Sequence, residues 1–333
     1  MTAVPDDLRA ADRATDAVGA SSVVTTATEV PARLAAGACG PLAPRLHALA
    51  EDVWWMPGAG GRPAAANRGA VANLLLARHA GRLWLIGSGP SPAFARALRC
   101  RVRGELGQDI AEVMNPYARA ELVLGNAGMG AARVRAPAVV VQAMARQCPA
   151  CVQRLRGQLG PAASDLGAAP VRLPAPLAPG EGRAGERAQW GPFEYEVVPR
   201  GAASAASVWR HPAAGVVAAW GLVWFDGAPD GSDTEPSSMI TALDAVLATA
   251  GVADRVLGEA GPLGSREDVV RHREYWNRLW QAAQAGVRRG ATWPDAAVQQ
   301  AAPAAWLLDE RHALNAQRAW RLAEDEMLAL PGR

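Results

Sequence analysis

Short apolar strands followed by an amphipathic helix occur twice along this chain of 333 residues, and this order constrains its fold more than any other feature. In the first half we predict strands at residues 52–56, 74–76, 82–86 and 110–114, with one helix between Ser91 and Gly107. In the second half we predict strands at residues 193–198, 207–209 and 215–225, followed by helices at 238–250 and after Ser265. The repeated pattern predicts two packed β-sheets with helices on their outer faces.

A polar turn follows the predicted strand at residues 110–114. It reads Asn115-Pro116-Tyr117-Ala118-Arg119-Ala120-Glu121-Leu122 and continues as Val123-Leu124-Gly125-Asn126-Ala127-Gly128. This stretch resembles the signature turn of the metallo-β-lactamase superfamily, in which Asn-Thr-His-x-His-x-Asp-His runs into a Gly-Asn-Ala segment. Tyr117 and Arg119 stand at the first two ligand positions of that motif. Glu121 and Leu122 stand where the family has Asp-His.

Four further segments resemble the same superfamily in order and spacing. They are Asn67-x-Gly69-x-x-Ala72-Asn73 and residues 85–91, 215–224 and 259–262. By this resemblance the metal-bridging aspartate falls on Gly221, the late histidine on Ala260, and a further ligand among residues 201–203. The resemblance covers residues 46–280 and implies an α/β (α+β) fold, a four-layer αββα sandwich of two mixed sheets flanked by helices. Residues 146–151 and 228–230 look like those of members associated with quinoprotein and sulfur-oxidation systems.

The zinc-binding residues of the family are missing from these positions. Zinc is held by neutral imidazole, thiolate and carboxylate, and hydrolysis needs one open coordination position. Arg119 is permanently cationic and Leu122 has no lone pair, so neither side chain can be a ligand. The histidines are isolated in the sequence, at His47, His79, His211, His272 and His312. We therefore predict no metal, no cofactor and no catalytic residue at the former metal-pocket positions, which are Tyr117, Arg119, Glu121, Leu122, Gly221 and Ala260.

Two hypotheses describe what Arg119 does in the former metal pocket. In the first, Arg119 and Glu121 form an ion pair that fills the space of the zinc. In the second, Arg119 binds a carboxylate or phosphate group bidentately in a retained cleft. The predicted partner is accordingly an unknown protein or a small anionic ligand.

Cys148-Pro149-Ala150-Cys151 is the one stretch with redox-like or metal-like cysteine spacing. If a helix starts there, both sulfurs lie on one face, and the helix N-terminus with Arg146 nearby lowers the pKa of a thiol. A zinc site needs two more ligands, and Cys39 and Cys100 are isolated single cysteines. Three hypotheses stay open: packing residues in a reducing cytoplasm, a redox role for Cys148 and Cys151, and a metal site.

Composition excludes several classes of function. All 34 cationic side chains are arginine, which excludes Schiff-base chemistry, a lysine general base and a Walker-type phosphate loop. The net charge of +2 gives no reason to expect nucleic acid as a partner. No apolar run approaches the ~20 residues of a membrane helix, and the N-terminus has no apolar signal segment. These features predict a cytoplasmic, bacterial protein with no nucleic-acid or membrane partner.

The predicted organisation has three parts. Residues 1–45 form a mobile N-terminal tail, residues 46–290 the metallo-β-lactamase-like domain with a Pro/Ala/Gly-rich loop at 160–190, and residues 291–333 a C-terminal helical extension. The predicted function is that of a metal-free, non-catalytic binding or interaction protein. The alternatives are a hydrolase with an atypical metal site, and a thiol–disulfide function through Cys148 and Cys151.

Overall fold

The computed structural model describes residues 39–178 and 184–329, which form two mixed β-sheets. The first sheet contains seven strands in chain order: β1 (His47–Ala50), β2 (Val53–Met56), β3 (Leu74–His79), β4 (Arg82–Ile86), β5 (Ile110–Met114), β6 (Arg133–Ala136) and β7 (Ala175–Pro176). Strands β1 to β4 pair antiparallel and β4 to β7 pair parallel. The first four residues of β3 are all buried, as expected for a strand covered on both faces.

The second sheet contains six strands: β8 (Arg187–Trp190), β9 (Phe193–Gly201), β10 (Ser204–His211), β11 (Val216–Ala219), β12 (Arg255–Gly258) and β13 (Leu263–Gly264). Their spatial order is β13-β12-β11-β10-β9-β8. Only β11 and β12 among these pair parallel, and the other neighbours are antiparallel. Strand β11 is buried along its whole length and leads directly into the site.

The helices of the described residues are α1 (Pro92–Leu106), α2 (Ala120–Val123), α3 (Ala138–Leu159), α4 (Pro236–Thr249), α5 (Arg266–Arg288), α6 (Ala296–Gln299) and α7 (Glu310–Ala329). Local signals set several of their ends. The Ser91 hydroxyl accepts from the Phe94 N–H at 3.1 Å, and Gly107 ends α1 in the left-handed conformation. Ser265 and Asp268 form a capping box at the start of α5. The predicted α/β fold of two mixed sheets with helices is confirmed.

Aromatic side chains join the two sheets. Trp84 of β4 meets Trp190 of β8 edge to face, with ring centroids 4.7 Å apart. Trp190 in turn contacts Trp209 of β10, which stacks on Tyr195 at 4.6 Å. The main hydrophobic core therefore lies between the sheets. No helix of the described residues is long and apolar enough to cross a membrane.

A disulfide joins Cys39 to Cys100 of α1. The prediction that these are isolated single cysteines was wrong, because α1 brings together two residues that are 61 positions apart in sequence. Disulfides persist in oxidising compartments and are rare in the cytosol. This crosslink is therefore unexpected in the reducing cytoplasm that we predicted from the sequence.

Helix α7 packs on α5 and reaches the loop that follows β11. The Asn315 amide donates to the Pro229 carbonyl at 2.8 Å and accepts from the Gly231 N–H at 3.0 Å. The same amide donates to the Tyr275 hydroxyl of α5 at 3.0 Å. Asn315 thus fixes the loop on both sides of Asp230. The predicted tail at residues 1–45 lies mostly outside the described residues, and the predicted loop at 160–190 contains a 3-10 helix (Gly160–Leu166) together with β7 and β8.

Candidate functional site

The turn after β5 is held by an amide pair. The Asn115 and Asn126 side chains donate to each other, at 3.1 and 2.7 Å, and both are buried. Gly125 packs so closely on the Ser88 carbonyl that a Cβ would lie 1.9 Å from its oxygen. Asn115, Gly125 and Asn126 of the motif therefore hold the backbone of the turn in place, independently of the side chains at its ligand positions. The turn presents Tyr117 and Arg119.

The loop after β12 is fixed by Asn73, another residue of the resemblance. Its amide donates to the Gly258 and Gly261 carbonyls, both at 3.0 Å. The loop between them carries Glu259 and Ala260. The N–H of Gly221, in the turn that follows β11, donates to the Glu259 carboxylate at 3.0 Å.

Arg119 is surrounded by three carboxylates. Its Nε lies 2.9 Å from Glu259 and 3.3 Å from Glu121, and its Nη1 donates to Asp230 at 2.9 Å. The Arg119 side chain is 21% exposed and that of Glu259 is 3% exposed. Arg119 is thus paired with Glu121, as the first hypothesis has it, but the other two carboxylates lie closer. We term Arg119, Glu121, Asp230 and Glu259 the floor.

The pKa values of the floor follow from burial and from this charge imbalance. Burial raises the pKa of Glu259 to about 7; Arg119 opposes the rise, while Glu121 and Asp230 add to it. Burial also acts to raise the pKa of Asp230, but Arg119 and hydrogen bonds from Ser232 outweigh it and hold that pKa below its usual range. Three carboxyl groups surround the one guanidinium of the floor, so its acidic groups outnumber its basic group. The floor is therefore net negative.

A second network lies beside the floor, around Tyr117. The Tyr117 hydroxyl is 2.8 Å from both oxygens of Asp233, and Arg200 donates to that hydroxyl and to Asp233, the latter at 2.5 Å. The Arg200 guanidinium, fully buried, also lies 4.4 Å from the Tyr117 ring centre. Ser204 donates to Asp233 at 2.8 Å. Burial raises the pKa of Tyr117 well above its ordinary value, so its hydroxyl stays protonated.

The remaining former metal-pocket positions are filled by packing. Gly221 has a φ of +76°, and a Cβ there would lie 3.0 Å from the Tyr117 ring, so an aspartate at 221 would be strained and crowded. Leu122 and Ala260 are buried. Within the described residues no group of three or more His, Cys, Asp or Glu side chains is placed to hold a metal ion. The residues present do not fit the zinc that the family's motif implies, because a guanidinium lies among the carboxylates.

An open cleft of about 620 Å³ leads to the floor. One wall is a face of α3, which we term the helix wall; it consists of Arg146, Gln147, Ala150, Cys151, Arg154, Leu155 and Gln158. Other residues that line the cleft are Ser232, Asp233, Arg62, Arg311 and Leu314. Arg119 therefore fills the base of the cleft without closing it.

Cys148 and Cys151 are free and lie inside α3, which begins at Ala138. Burial raises the pKa of Cys148 to about 12, and burial also raises that of Cys151, despite a 3.2 Å contact with Arg154. The condition for a low thiol pKa was a helix that starts at this motif, and α3 does not meet it, because neither thiol lies at its N-terminus. Residues three apart in a helix have Cβ atoms about 5–6 Å apart, longer than the roughly 3.8 Å of a disulfide.

The structure brings together Tyr117, Arg119, Glu121, Gly221 and Ala260, as the resemblance implies. Four charged residues of the site were missed: Arg200, Asp230, Asp233 and Glu259. Three of them had a signal in the sequence: Arg200 directly precedes residues 201–203, Glu259 directly precedes Ala260, and Asp230 lies in the segment 228–230. Nothing in the sequence distinguishes Asp233 from other acidic residues.

No family model and no curated protein matches this sequence. Several solved structures do match its fold. A metallo-β-lactamase from Hirschia baltica is 12% identical, with 70% of this chain and 97% of that chain covered and a TM-score of 0.55. The metallo-β-lactamase FIM-1 from Pseudomonas aeruginosa, in its mono-zinc form, is 15% identical, with 71% and 95% covered and a TM-score of 0.56. TMB-1 is 12% identical, with 69% and 95% covered and a TM-score of 0.52. At these identities the likeness shows the fold alone, and the fold of this chain is that of the metallo-β-lactamases.

Proposed function

We propose that this protein is a metal-free, non-catalytic member of the metallo-β-lactamase fold that binds a small ligand in the retained cleft. One observation carries the proposal. Arg119 lies among three carboxylates at the base of a cleft that stays open, with a volume of about 620 Å³. A guanidinium has no lone pair and cannot activate water as a metal does. The cleft has the size of a small-molecule site.

The arrangement argues against Arg119 as the residue that binds an anion. Its charge is already opposed by Glu121, Asp230 and Glu259, so an incoming carboxylate or phosphate meets net negative charge at the floor. Arg119 instead replaces a bound cation within the protein. A group on the ligand that approaches the floor must be neutral or cationic.

The proposal is tested by combining metal analysis with a ligand screen. Protein prepared without chelators is analysed for zinc, iron and manganese, and a fragment library of anionic, cationic and zwitterionic compounds is screened by thermal shift. Ala150→Trp fills the cleft from the helix wall. Ala145→Trp is the matched control, because Ala145 is exposed on the same helix and does not line the cleft.

We expect far less than one metal ion per chain and fragments that stabilise the wild type and Ala145→Trp but not Ala150→Trp. About one tightly bound metal ion per chain, lost in Glu121→Gln, contradicts the proposal and supports the hydrolase alternative. Fragments that bind all three proteins equally show that the cleft is not the site.

A further inference from the structure

The helix wall presents two arginines without acidic partners. Arg146 and Arg154 are eight positions apart on α3, which puts them on one face about 12 Å apart along the axis. No carboxylate of the described residues lies within 4.0 Å of either guanidinium, and their closest polar contacts are the Ala203 carbonyl at 3.5 Å and the Cys151 sulfur at 3.2 Å. The wall is therefore positively charged and open to solvent.

The other arginines of the cleft are neutralised. Arg62 pairs with Glu310 at 2.5 Å, and Arg311 pairs with Asp226 and Asp309 at 3.1 and 3.2 Å. The cleft therefore has two regions of uncompensated charge: the helix wall is positive and the floor is negative.

The two charged regions lie close together. Arg154 contacts Cys151 at 3.2 Å, and both residues line the same cleft as Arg119 and Glu121 of the floor. One small molecule can therefore reach both regions. A purely anionic ligand meets the wall but is repelled by the floor, and a purely cationic one meets the floor but is repelled by the wall.

From this polarity we propose that the ligand is a small zwitterion, with its ammonium group at the floor and its carboxylate at Arg146 and Arg154. This assignment rests on the proposed binding function of the same cleft. It names the chemical class of the ligand, and the two oppositely charged groups must be separated by a chain that spans from the helix wall to the floor.

The test uses three probes of matched length, measured by isothermal titration calorimetry: 6-aminohexanoate, hexanoate and hexylamine. We expect 6-aminohexanoate, or its shorter or longer homologue, to bind at least about fivefold more tightly than either singly charged probe, since each partly exposed ion pair adds a modest factor. In Arg154→Gln and Arg146→Gln, 6-aminohexanoate should no longer bind more tightly than hexylamine. In Glu121→Gln, 6-aminohexanoate should no longer bind more tightly than hexanoate. Arg156→Gln, on the exposed side of α3 away from the cleft, is the control and should change nothing.

Proton release gives an independent readout. An ammonium group beside Glu259 should lower the pKa of that carboxyl, so 6-aminohexanoate and hexylamine should release protons near pH 7, and hexanoate should not. The release appears as a dependence of the measured heat on the ionisation enthalpy of the buffer.

The results separate this proposal from the proposed function. Hexanoate binding as tightly as 6-aminohexanoate, or no effect of Arg146→Gln and Arg154→Gln, overturns the zwitterion while leaving a cleft ligand. If no probe or homologue binds, but fragments stabilise the wild type and not Ala150→Trp, the zwitterion proposal alone is overturned. If no probe binds and no fragment depends on the cleft, the zwitterion proposal and the proposed binding function are both overturned.

Discussion

Replacing Arg119 with alanine removes the only cation from a group of three carboxylates. Loss of one partner from a buried ion pair costs on the order of 3–5 kcal/mol, because the remaining charge is left uncompensated. Arg119 is about one-fifth exposed and Glu259 almost fully buried, so this range applies at pH 8. Glu121→Gln should behave differently from Arg119→Ala. It leaves Arg119 with two carboxylates, and we expect a change within about 1 kcal/mol.

The effect of Arg119→Ala depends on pH through Glu259. Its pKa in the folded protein is about 7, raised from an ordinary value of 4.5, so the folded state holds this proton more tightly than the unfolded state. The associated stability is fully present below pH 4.5 and is lost as the pH rises through 7. The guanidinium of Arg119 lowers the pKa of Glu259. Without it the pKa of Glu259 rises further, and the loss of stability moves to higher pH. The deficit of Arg119→Ala relative to the wild type should therefore be largest at pH 8 and smaller at pH 5.5.

Urea unfolding at pH 5.5 and 8 measures these differences for Arg119→Ala, Glu121→Gln and the double variant, with Arg156→Ala as the control. We expect the double variant to be more stable than Arg119→Ala alone, since one uncompensated carboxylate has been neutralised. A deficit for Arg119→Ala below about 1 kcal/mol at pH 8, or a double variant equal to the sum of the single ones, would refute the idea that Arg119 stabilises the floor.

Four further outcomes are expected. Metal analysis of the protein prepared without chelators should find less than stoichiometric zinc or iron, and one equivalent held at Glu121 contradicts this. Tyr117→His with Arg119→His should show no zinc-dependent ester or lactam hydrolysis, because Gly221 and Ala260 still supply no ligand; measurable turnover argues for a more intact site. Denatured protein should expose two thiols before reduction and four afterwards, and four thiols before reduction would exclude the crosslink. Cys100→Ser should lower the free energy of unfolding by about 4 kcal/mol, because the disulfide closes a loop of 61 positions. Tyr117→Phe should lose about 1–3 kcal/mol in thermal or urea melts, since Asp233 and Arg200 lose their shared hydroxyl; an unchanged melt shows that the network adds no stability.

Elements with local signals were predictable from the sequence. Ser91, Gly107 and Ser265 set helix ends through contacts within a few residues, and alternating or continuous apolar runs placed most strands. Helix α3 was not predicted as a whole, because Pro149 lies inside it and proline in a helix interior normally indicates a break. Tertiary packing holds α3 together across that residue.

The site was predictable only where it lies within one segment. The turn from Tyr117 to Leu122 carries its own pattern, but Asp230 meets Arg119 across 111 positions of sequence and Asp233 meets Tyr117 across 116. Contacts of this kind depend on the relative placement of two sheets and a helix. No local propensity encodes them, and the pairing of Cys39 with Cys100 was missed for the same reason.

The positive charge at the floor belongs to the polypeptide itself. Where a central charge is a bound ion, the fraction of molecules that carry it follows mass action, and the stability it adds grows with the logarithm of the free ion concentration. Arg119 is present once in every chain at any dilution. Folding and charge compensation at the base of the cleft therefore occur together, with no loading step, and copies synthesised during ion starvation are identical to those synthesised when ions are abundant.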